Sequence, residues 1–363
     1  MANIFDYLND VAYDSFYDLP VNELDVLALT ELTYLAFDDV VTQEPQRLID
    51  LAPQIPREKT MLTNKNRLQL LDQLSQHKRF KNCKLSDFIN DIDPELQKQF
   101  AAMTYRISLD TYLLVFRGTD DSIIGWKEDF HMTYMKEIPA QKHALQYLQD
   151  FFAQHPNQKV VLAGHSKGGN LAVYAASQLD PLLQKNIVAV YTFDAPGLHK
   201  ELTETAGYQN MMERTKVFVP QGSIIGMMLE IPDKKIVVRS TALGGLAQHD
   251  TFSWQVEDKH FVQLDETNSD SQQVDTTFKE WVETVPDTEL QLYFDLFFGI
   301  ILDAGISSIN DLSSFKVIEH IHHLFVQAQS LTPEERETMG RLTQLLIDTR
   351  YQAWKNREYT KTN

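Results

Sequence analysis

The sequence has little cysteine and little positive charge, and both shortages restrict what the protein can be. One of its 363 residues is cysteine, Cys83, so the chain cannot form an internal disulfide. A lone cysteine is compatible with a reducing compartment, and Cys83 has no CxxC partner that would indicate a redox or metal site. Lys and Arg number 33 against 51 Asp and Glu, a net charge of −18. Nucleic-acid binding and simple docking to anionic lipid normally use a basic surface, so both are disfavoured.

The sequence also lacks a long hydrophobic run and a targeting segment. Its most apolar stretch, LFFGIIL at 296–302, lies between Asp295 and Asp303, and a bilayer span needs about 20 apolar residues. The N-terminus, MANIFDYLNDVAYDSFYDLP, carries acidic residues and no cationic region, unlike a signal peptide. We therefore predict a soluble, cytoplasmic protein with no transmembrane segment.

The spacing of apolar residues changes along the chain. Helical spacing predicts helices at 22–38, 65–78, 85–92, 140–154 and 168–179. Strand-like runs predict strands at 99–107, 111–118, 159–164, 187–194, 215–220 and 235–240. Several of these strands are almost continuously apolar, as in sheets that helices cover on both faces.

The alternation of strands and helices in the middle of the chain predicts an α/β fold with a mostly parallel central sheet flanked by helices. From about residue 275 the pattern is helical, with a helix start at Asp287 and a stop at Gly305. We predict an α/β core with N-terminal helices over 1–270, and a helical extension over 271–363 that packs on the core or caps it.

One motif in this middle region points to chemistry. The segment VVLAGHSKGGNLAVYAASQL at 160–179 places Ser166 in a G-x-S-x-G pattern between a predicted strand and a predicted helix. In α/β hydrolases this context holds a nucleophilic serine on a sharp turn, and Gly164 and Gly168 allow such a turn to close. Ser166 is the predicted nucleophile. The alternative is an ordinary strand-to-helix turn that needs glycine.

A serine nucleophile needs a base, which in this fold is a histidine late in the chain. His249 follows the last predicted strand and lies in a loop after Gly-Gly, so it is the first candidate. His260 is the second, whereas His199 precedes most of the later strands. The cluster HIHH at 320–323 lies on a predicted helix and is typical of a solvated face.

The base in turn needs a carboxylate that orients its imidazole. Asp194 ends the strand 187–194, and ligands of α/β sheets bind at this edge. Glu230 and Asp233 compete with it, and Asp250 is next to His249, where neighbouring side chains usually point apart. The alternative for Asp194 is a turn-forming residue before Ala-Pro.

Two backbone N–H groups would complete an oxyanion hole. Lys167 directly follows the serine and supplies the first, and Thr119, after the strand 111–118, supplies the second. Arg117 and Asp129 are expected to form an ion pair that holds this loop. The alternative is that the loop is only a polar turn.

The segments VFRGTDDSIIGWKEDF, GHSKGGNLA, YTFDAPG and HDTFSW, in this order, resemble the class 3 (fungal-type) triacylglycerol lipases, and more closely a bacterial family of lipase-like α/β-hydrolases. The resemblance extends over roughly 20–260. It implies that Ser166 is the elbow serine, His249 the late histidine, and Thr119 a residue of the oxyanion hole.

The chain departs from the class 3 lipases at two positions. Lys167 stands where they usually have an uncharged residue, often leucine. Their aspartate follows the strand aligned with TKVFVPQGSIIG, where this chain has Gln221, Gly222 and Ser223. Pancreatic-type lipases carry the acid after the preceding strand, and FDAPG resembles that arrangement, which favours Asp194.

These observations predict a serine hydrolase that cleaves a carboxylic ester, acyl or lipid, through an acyl-enzyme intermediate, with no metal or organic cofactor. The expected partner is a small ester or lipid substrate, and the oligomeric state is not predicted. Two other functions stay open: a non-catalytic binding or regulatory protein of the same fold, and a thioesterase or peptidase with the same residues.

Overall fold

The computed structural model describes residues 2–60, 62–93, 95–120, 123–232, 234–306, 324 and 326–361. Within them, nine strands form one sheet in the order β1-β2-β3-β4-β5-β6-β7-β8-β11, and β9 pairs with β10 beside it. The strands are β1 Gln46–Arg47, β2 Lys84–Asp93, β3 Lys98–Arg106, β4 Thr111–Phe116, β5 Lys159–His165, β6 Ile187–Phe193, β7 Thr215–Pro220, β8 Lys235–Val238, β9 Val256–Glu257, β10 His260–Phe261 and β11 Gln263–Leu264.

The described helices are α1 Ile4–Asp10, α2 Glu23–Leu32, α3 Leu48–Leu51, α4 Lys65–Gln76, α5 Ile123–His131, α6 Pro139–Gln154, α7 Lys167–Gln178, α8 Pro181–Gln184, α9 Lys200–Thr203, α10 Ala206–Met212, α11 Gly245–Gln248, α12 Ser269–Thr284, α13 Asp287–Asp303 and α14 Pro333–Lys361. Short 3₁₀ turns lie at Ala52–Gln54, Ile225–Met227 and Thr251–Ser253. None of the described helices is both long enough and apolar enough to cross a membrane.

The five strands from β4 to β8 are parallel, and the strands at both ends of the sheet pair antiparallel. Helices cover both faces, which explains the continuously apolar strands. Along β5, Val161 and Ala163 face a core shared with α1, α2 and α4, whereas Val160 and Leu162 face a core shared with α6 and α7. The predicted α/β fold is confirmed: it is an α/β-hydrolase fold.

One predicted element is wrong. Residues 85–92 form part of β2, which pairs antiparallel with β3. Their apolar residues have helical spacing because the pairing register shifts between Ser86 and Ile89, where Asp87 has a φ of 56°. Such a bulge inserts an extra residue and interrupts the alternation of a strand. The sequence pattern therefore resembled one face of a helix.

The helix predicted at 22–38 is shorter in the structure, where it is α2, Glu23–Leu32. α2 begins at the capping box of Asn22 and Asp25 and ends at Leu32, and single turns follow, in which Tyr34 N donates to Glu31 O and Leu35 N to Leu32 O. Tyr34 therefore lies beyond the helix and points to the carboxyl end of β5, where its hydroxyl contacts His165.

The C-terminal helices pack on α5. Trp281, Phe294 and Phe298 form an apolar cluster with Ile123 and Phe130 of that helix, and Lys127 pairs with Asp295 at 2.7 Å. A domain boundary at about residue 270 stays a prediction. Within the predicted helical extension, residues 307–323, 325, 362 and 363 lie outside the described residues.

A buried ion pair connects the segment before α2 to α2 and to the region after α4. Arg79 and Asp25 are fully buried and 2.5 Å apart, and the Tyr7 hydroxyl donates to the same carboxylate at 2.8 Å. Arg79 also donates to the carbonyls of Ser15 and Leu19, at 3.3 and 3.0 Å. The Arg79 guanidinium thus connects α2 to the backbone of the segment that precedes it.

We expect Arg79→Met to lower the free energy of unfolding by about 3–5 kcal/mol, because Asp25 would remain buried without its counter-charge. The control is Arg57→Met, which removes the half-exposed pair with Asp72 and should cost at most about 1 kcal/mol. Urea denaturation at pH 7 measures both. Equal, small losses in the two variants would contradict the role given to Arg79.

Candidate active site

The predicted strand, sharp turn and helix are present around Ser166. Ser166 lies between β5 and α7 with φ 57° and ψ −136°, in a region that non-glycine residues rarely adopt. A Cβ on Gly164 would approach the backbone of Gly168 to 2.1 Å, and a Cβ on Gly168 would approach the Phe116 carbonyl oxygen to 2.0 Å. The backbone therefore requires glycine at both positions and bends tightly at the serine.

Asp194 lies next to this turn because β5 and β6 are parallel neighbours, with His165 opposite Phe193. The carboxylate is fully buried, and its Oδ2 lies 2.6 Å from Nδ1 of His249. Its Oδ1 accepts hydrogen bonds from the Ser223 hydroxyl at 2.5 Å and from the Gly226 N–H at 3.1 Å. Both carboxylate oxygens thus have donors, as a buried charge needs.

His249 follows α11, and the residue before it, Gln248, forms hydrogen bonds with two other segments. The Gly222 N–H donates to Gln248 Oε1 at 2.7 Å, and Trp254 Nε1 donates to the Gln248 carbonyl at 2.9 Å. The His249 ring packs against that of His165, with 4.4 Å between the centroids and 34° between the ring planes. Because Nδ1 donates to Asp194, Nε2 is the nitrogen left to act as a base.

The other predicted candidates have different partners. His260 Nδ1 lies 2.7 Å from Glu23, and His199 caps the short helix α9. Glu230 forms a backbone bridge with Leu198, and Asp250 accepts from the Phe252 N–H at 3.2 Å. Asp233 and the histidines at 320–323 lie outside the described residues.

The side chain of Lys167 is fully buried and points away from the site. Its Nζ donates to Glu128 at 2.8 Å and to the side chain and carbonyl of Gln99 at 2.9 and 3.0 Å. Asp129 Oδ1 lies 3.7 Å from the same nitrogen. The lysine that replaces the usual leucine therefore has counter-charges on α5.

Thr119 joins this network from the loop after β4. Its hydroxyl donates to Asp129 Oδ2 at 2.6 Å. Burial raises the pKa of Asp129 to about 6, although Lys167 and the Thr119 hydroxyl lower it. The expected pair between Arg117 and Asp129 is wrong, since Arg117 instead donates to Asn90 at 2.9 Å. Asp129 thus connects Thr119 to Lys167.

Sequence reasoning missed several residues of the site. Tyr34 and Glu31, from the N-terminal region, contact His165 at 3.0 and 3.6 Å, and Ser223 contacts Asp194. No local pattern in the sequence signals these contacts, because each partner lies at least 29 positions away in the chain. Among the described residues, no group of three or more His, Cys, Asp or Glu side chains could hold a metal ion.

Comparison with solved structures finds fungal lipases. The mono- and diacylglycerol lipase of Aspergillus oryzae is 16% identical, with a TM-score of 0.41, over 69% of this chain and 88% of its own. Lipase II of Rhizopus niveus is 15% identical, with a TM-score of 0.39, over 74% of this chain and 90% of its own. These values are too low to carry an argument about activity.

Comparison of the sequence with curated proteins finds no significant match. A family model described as Mbeg1-like matches residues 74–299, more than half of the chain, including Thr119, Ser166, Asp194 and His249. The chain therefore belongs to the Mbeg1-like family.

Proposed function

We propose that the protein is a serine hydrolase that cleaves carboxylic esters. The observation that carries the proposal is the 2.6 Å contact between Asp194 and His249, beside the sharp turn that holds Ser166. A buried carboxylate that orients a histidine next to a serine on such a turn is the arrangement that activates the hydroxyl in serine hydrolases.

In the proposed reaction, the Ser166 oxygen attacks the ester carbonyl carbon while His249 Nε2 takes the hydroxyl proton. Asp194 stabilises the imidazolium that results. The tetrahedral intermediate then collapses, and the carbon–oxygen bond to the alcohol breaks as His249 returns the proton to the leaving oxygen. Water, activated by His249, hydrolyses the acyl-enzyme in the same way and releases the acid.

The N–H groups of Lys167 and Thr119 would hold the negative oxygen of the intermediate. Two features support this role. Lys167 is the first residue of α7, where helix N–H groups have no partner within the helix. Thr119 is fixed by its bond to Asp129, which lies 3.7 Å from the Lys167 ammonium. One buried charge network thus connects the side chains of the two residues whose N–H groups are proposed as donors.

The proposed substrate is an acyl or lipid ester. A cavity of about 640 Å³ lies between the loop after β6 and the helices α12 and α13. Its apolar residues include Leu198, Leu229, Phe278, Val282 and Val285. Leu198 follows Asp194 by four positions in the chain, although the lining does not include Ser166, Asp194 or His249. A thioesterase or peptidase would use the same residues and differ in its preferred substrate.

The position of Asp194 argues against the alternative of a non-catalytic protein with the same fold. That alternative rested on the absence of a carboxylate at Gln221–Ser223. Asp194 fills the role from the neighbouring strand, and Ser223 donates to it.

An alkyl fluorophosphonate should label the protein at Ser166, because the activated oxygen displaces fluoride from phosphorus. Ser166→Ala should lose the label and slow hydrolysis of p-nitrophenyl butyrate by at least about 10³-fold. Ser177→Ala is the control, since the hydroxyl of this buried serine bonds only within α7 among the contacts described for it. Intact-protein mass spectrometry measures the label. Labelling of Ser166→Ala, or none of the wild type, would contradict the proposal.

Asp194→Asn should lower kcat by about 10²- to 10⁴-fold, because an amide does not stabilise the imidazolium and favours the wrong tautomer of His249. Glu230→Gln, at the competing acid, should keep the wild-type rate. Initial rates with p-nitrophenyl butyrate measure both variants. Equal activity of Asp194→Asn and the wild type would exclude Asp194 as the acid.

Thr119→Val keeps the shape and the N–H of the residue but removes its bond to Asp129. We expect kcat to fall about 10- to 100-fold, less than the roughly 10²- to 10³-fold loss on removing an oxyanion donor, because the N–H remains. Thr119→Ser should restore most of the rate. Thr104→Val, which removes a buried hydroxyl that contacts Tyr147, is the control. A Thr119→Val rate equal to that of Thr104→Val would contradict the role given to the bond between Thr119 and Asp129.

A further inference from the structure

A second histidine, His165, lies directly before Ser166 and takes no part in the proposed reaction. Its ring is buried and touches two segments of the site. Nε2 lies 3.0 Å from the backbone carbonyl oxygen of His249. Nδ1 lies 3.0 Å from the Tyr34 hydroxyl, which also accepts the Gly118 N–H at 3.1 Å.

The chemistry of these partners fixes where the protons are. A carbonyl oxygen only accepts, so Nε2 of His165 must carry a hydrogen. Burial and the nearby His249 lower the pKa of His165 to about 4, so its ring is neutral at pH 7 and Nδ1 has a free lone pair. The Tyr34 hydroxyl therefore donates to Nδ1, and its own lone pair accepts from Gly118.

The hydrogen bonds therefore run in one direction. Gly118 N–H donates to Tyr34, Tyr34 O–H donates to His165 Nδ1, and His165 Nε2–H donates to the His249 carbonyl. Gly118 precedes Thr119 of the proposed oxyanion hole, and His249 is the proposed base. A Cβ on Gly118 would lie 3.0 Å from the Cβ of Ser166, so the Gly118 end of this series of hydrogen bonds lies beside the serine.

The surrounding charges are arranged around a neutral His165. Glu31 lies 3.6 Å from Nδ1 and favours its protonation. However, Arg67 donates to that carboxylate at 2.9 and 3.0 Å, and the Thr251 hydroxyl donates at 2.8 Å. The other charged groups that act on the ring are His249 and Asp194. Since the His249 ring centroid is 4.4 Å away, a cationic His165 would oppose the protonation of the base.

We propose that Tyr34 and His165 are positioning residues, whose directed hydrogen bonds hold the Gly118–Thr119 backbone, beside Ser166, in register with the His249 backbone. This inference rests on the proposed function. It assigns a role to the N-terminal region, because Tyr34 follows α2 and lies 84 positions from Gly118 in the chain.

Histidine NMR tests the direction of the chain without any substrate. In protein labelled with ¹⁵N-histidine, His165, assigned by comparison with His165→Gln, should have the hydrogen on Nε2 and remain neutral down to about pH 5. In Tyr34→Phe, the Nδ1 signal should shift as its hydrogen bond is lost. A hydrogen on Nδ1, or a charged ring at pH 7, would overturn the inference.

Kinetics test the positioning role. Tyr34→Phe should lower kcat for p-nitrophenyl butyrate about tenfold or more, with KM within twofold, because misplaced reacting groups slow the chemical step. The control is Tyr105→Phe, which removes a buried hydroxyl bonded to Thr33 and the Leu29 carbonyl. Equal rates of the two variants would overturn the role, whatever their stability.

His165 itself is replaced in two ways. His165→Gln keeps an amide donor for the His249 carbonyl and should retain more of kcat than His165→Leu.

Because folding lowers the pKa of His165 from 6.5 to about 4, the unfolded chain binds more protons between these values, and stability falls as the pH falls through them. His165→Gln should weaken this fall in urea denaturation. An unchanged fall, or equal kcat in Gln and Leu, would count against the inference.

The experiments separate this inference from the proposed function. A wild-type protein that takes no fluorophosphonate label would overturn the proposed function and the positioning role together, while the NMR spectra would still decide the direction of the hydrogen bonds. A labelled wild type with an unaffected Tyr34→Phe would overturn the positioning role alone.

Discussion

The site depends on the left-handed backbone of Ser166. Such a conformation costs on the order of 1–3 kcal/mol for a residue other than glycine, so neighbouring structure must impose it. Here the carboxyl end of β5 meets α7 so closely that Gly168 touches the Phe116 carbonyl, and the Ser166 N–H donates to Phe193 O at 3.0 Å. The parallel pairing of β4, β5 and β6 is what brings Gly118, Ser166 and Asp194 to one edge of the sheet.

Around this turn, Asp194, Glu31 and Lys167 each have a separate set of partners. Asp194 has His249, Ser223 and the Gly226 N–H. Glu31 has Arg67 and Thr251. Lys167 has carboxylates on α5. Because a buried charge without a partner is strongly destabilising, this separation lets one carboxylate serve the histidine while the others hold loops in place.

The sequence predicts the parts of the site that depend on local order. The G-x-S-x-G turn, the strand-ending Asp194 and the loop position of His249 each follow from residues within a few positions. The partners of Lys167 and of His165 do not, because they come from α5 and from the region after α2. The mistaken helix at 85–92 has a similar origin: the bulge in β2 depends on its pairing with β3, which no short window of sequence contains.

The burial of Lys167 limits how this site can change over time. Its buried ammonium contacts Glu128, Asp129 and Gln99. A substitution at any of these positions therefore leaves another buried polar or charged group without its partner. A leucine at position 167 would leave Glu128 and Asp129 without their cation, so it would need coordinated changes on α5 and β3. Across related sequences, residues 99, 128, 129 and 167 should therefore covary as a group.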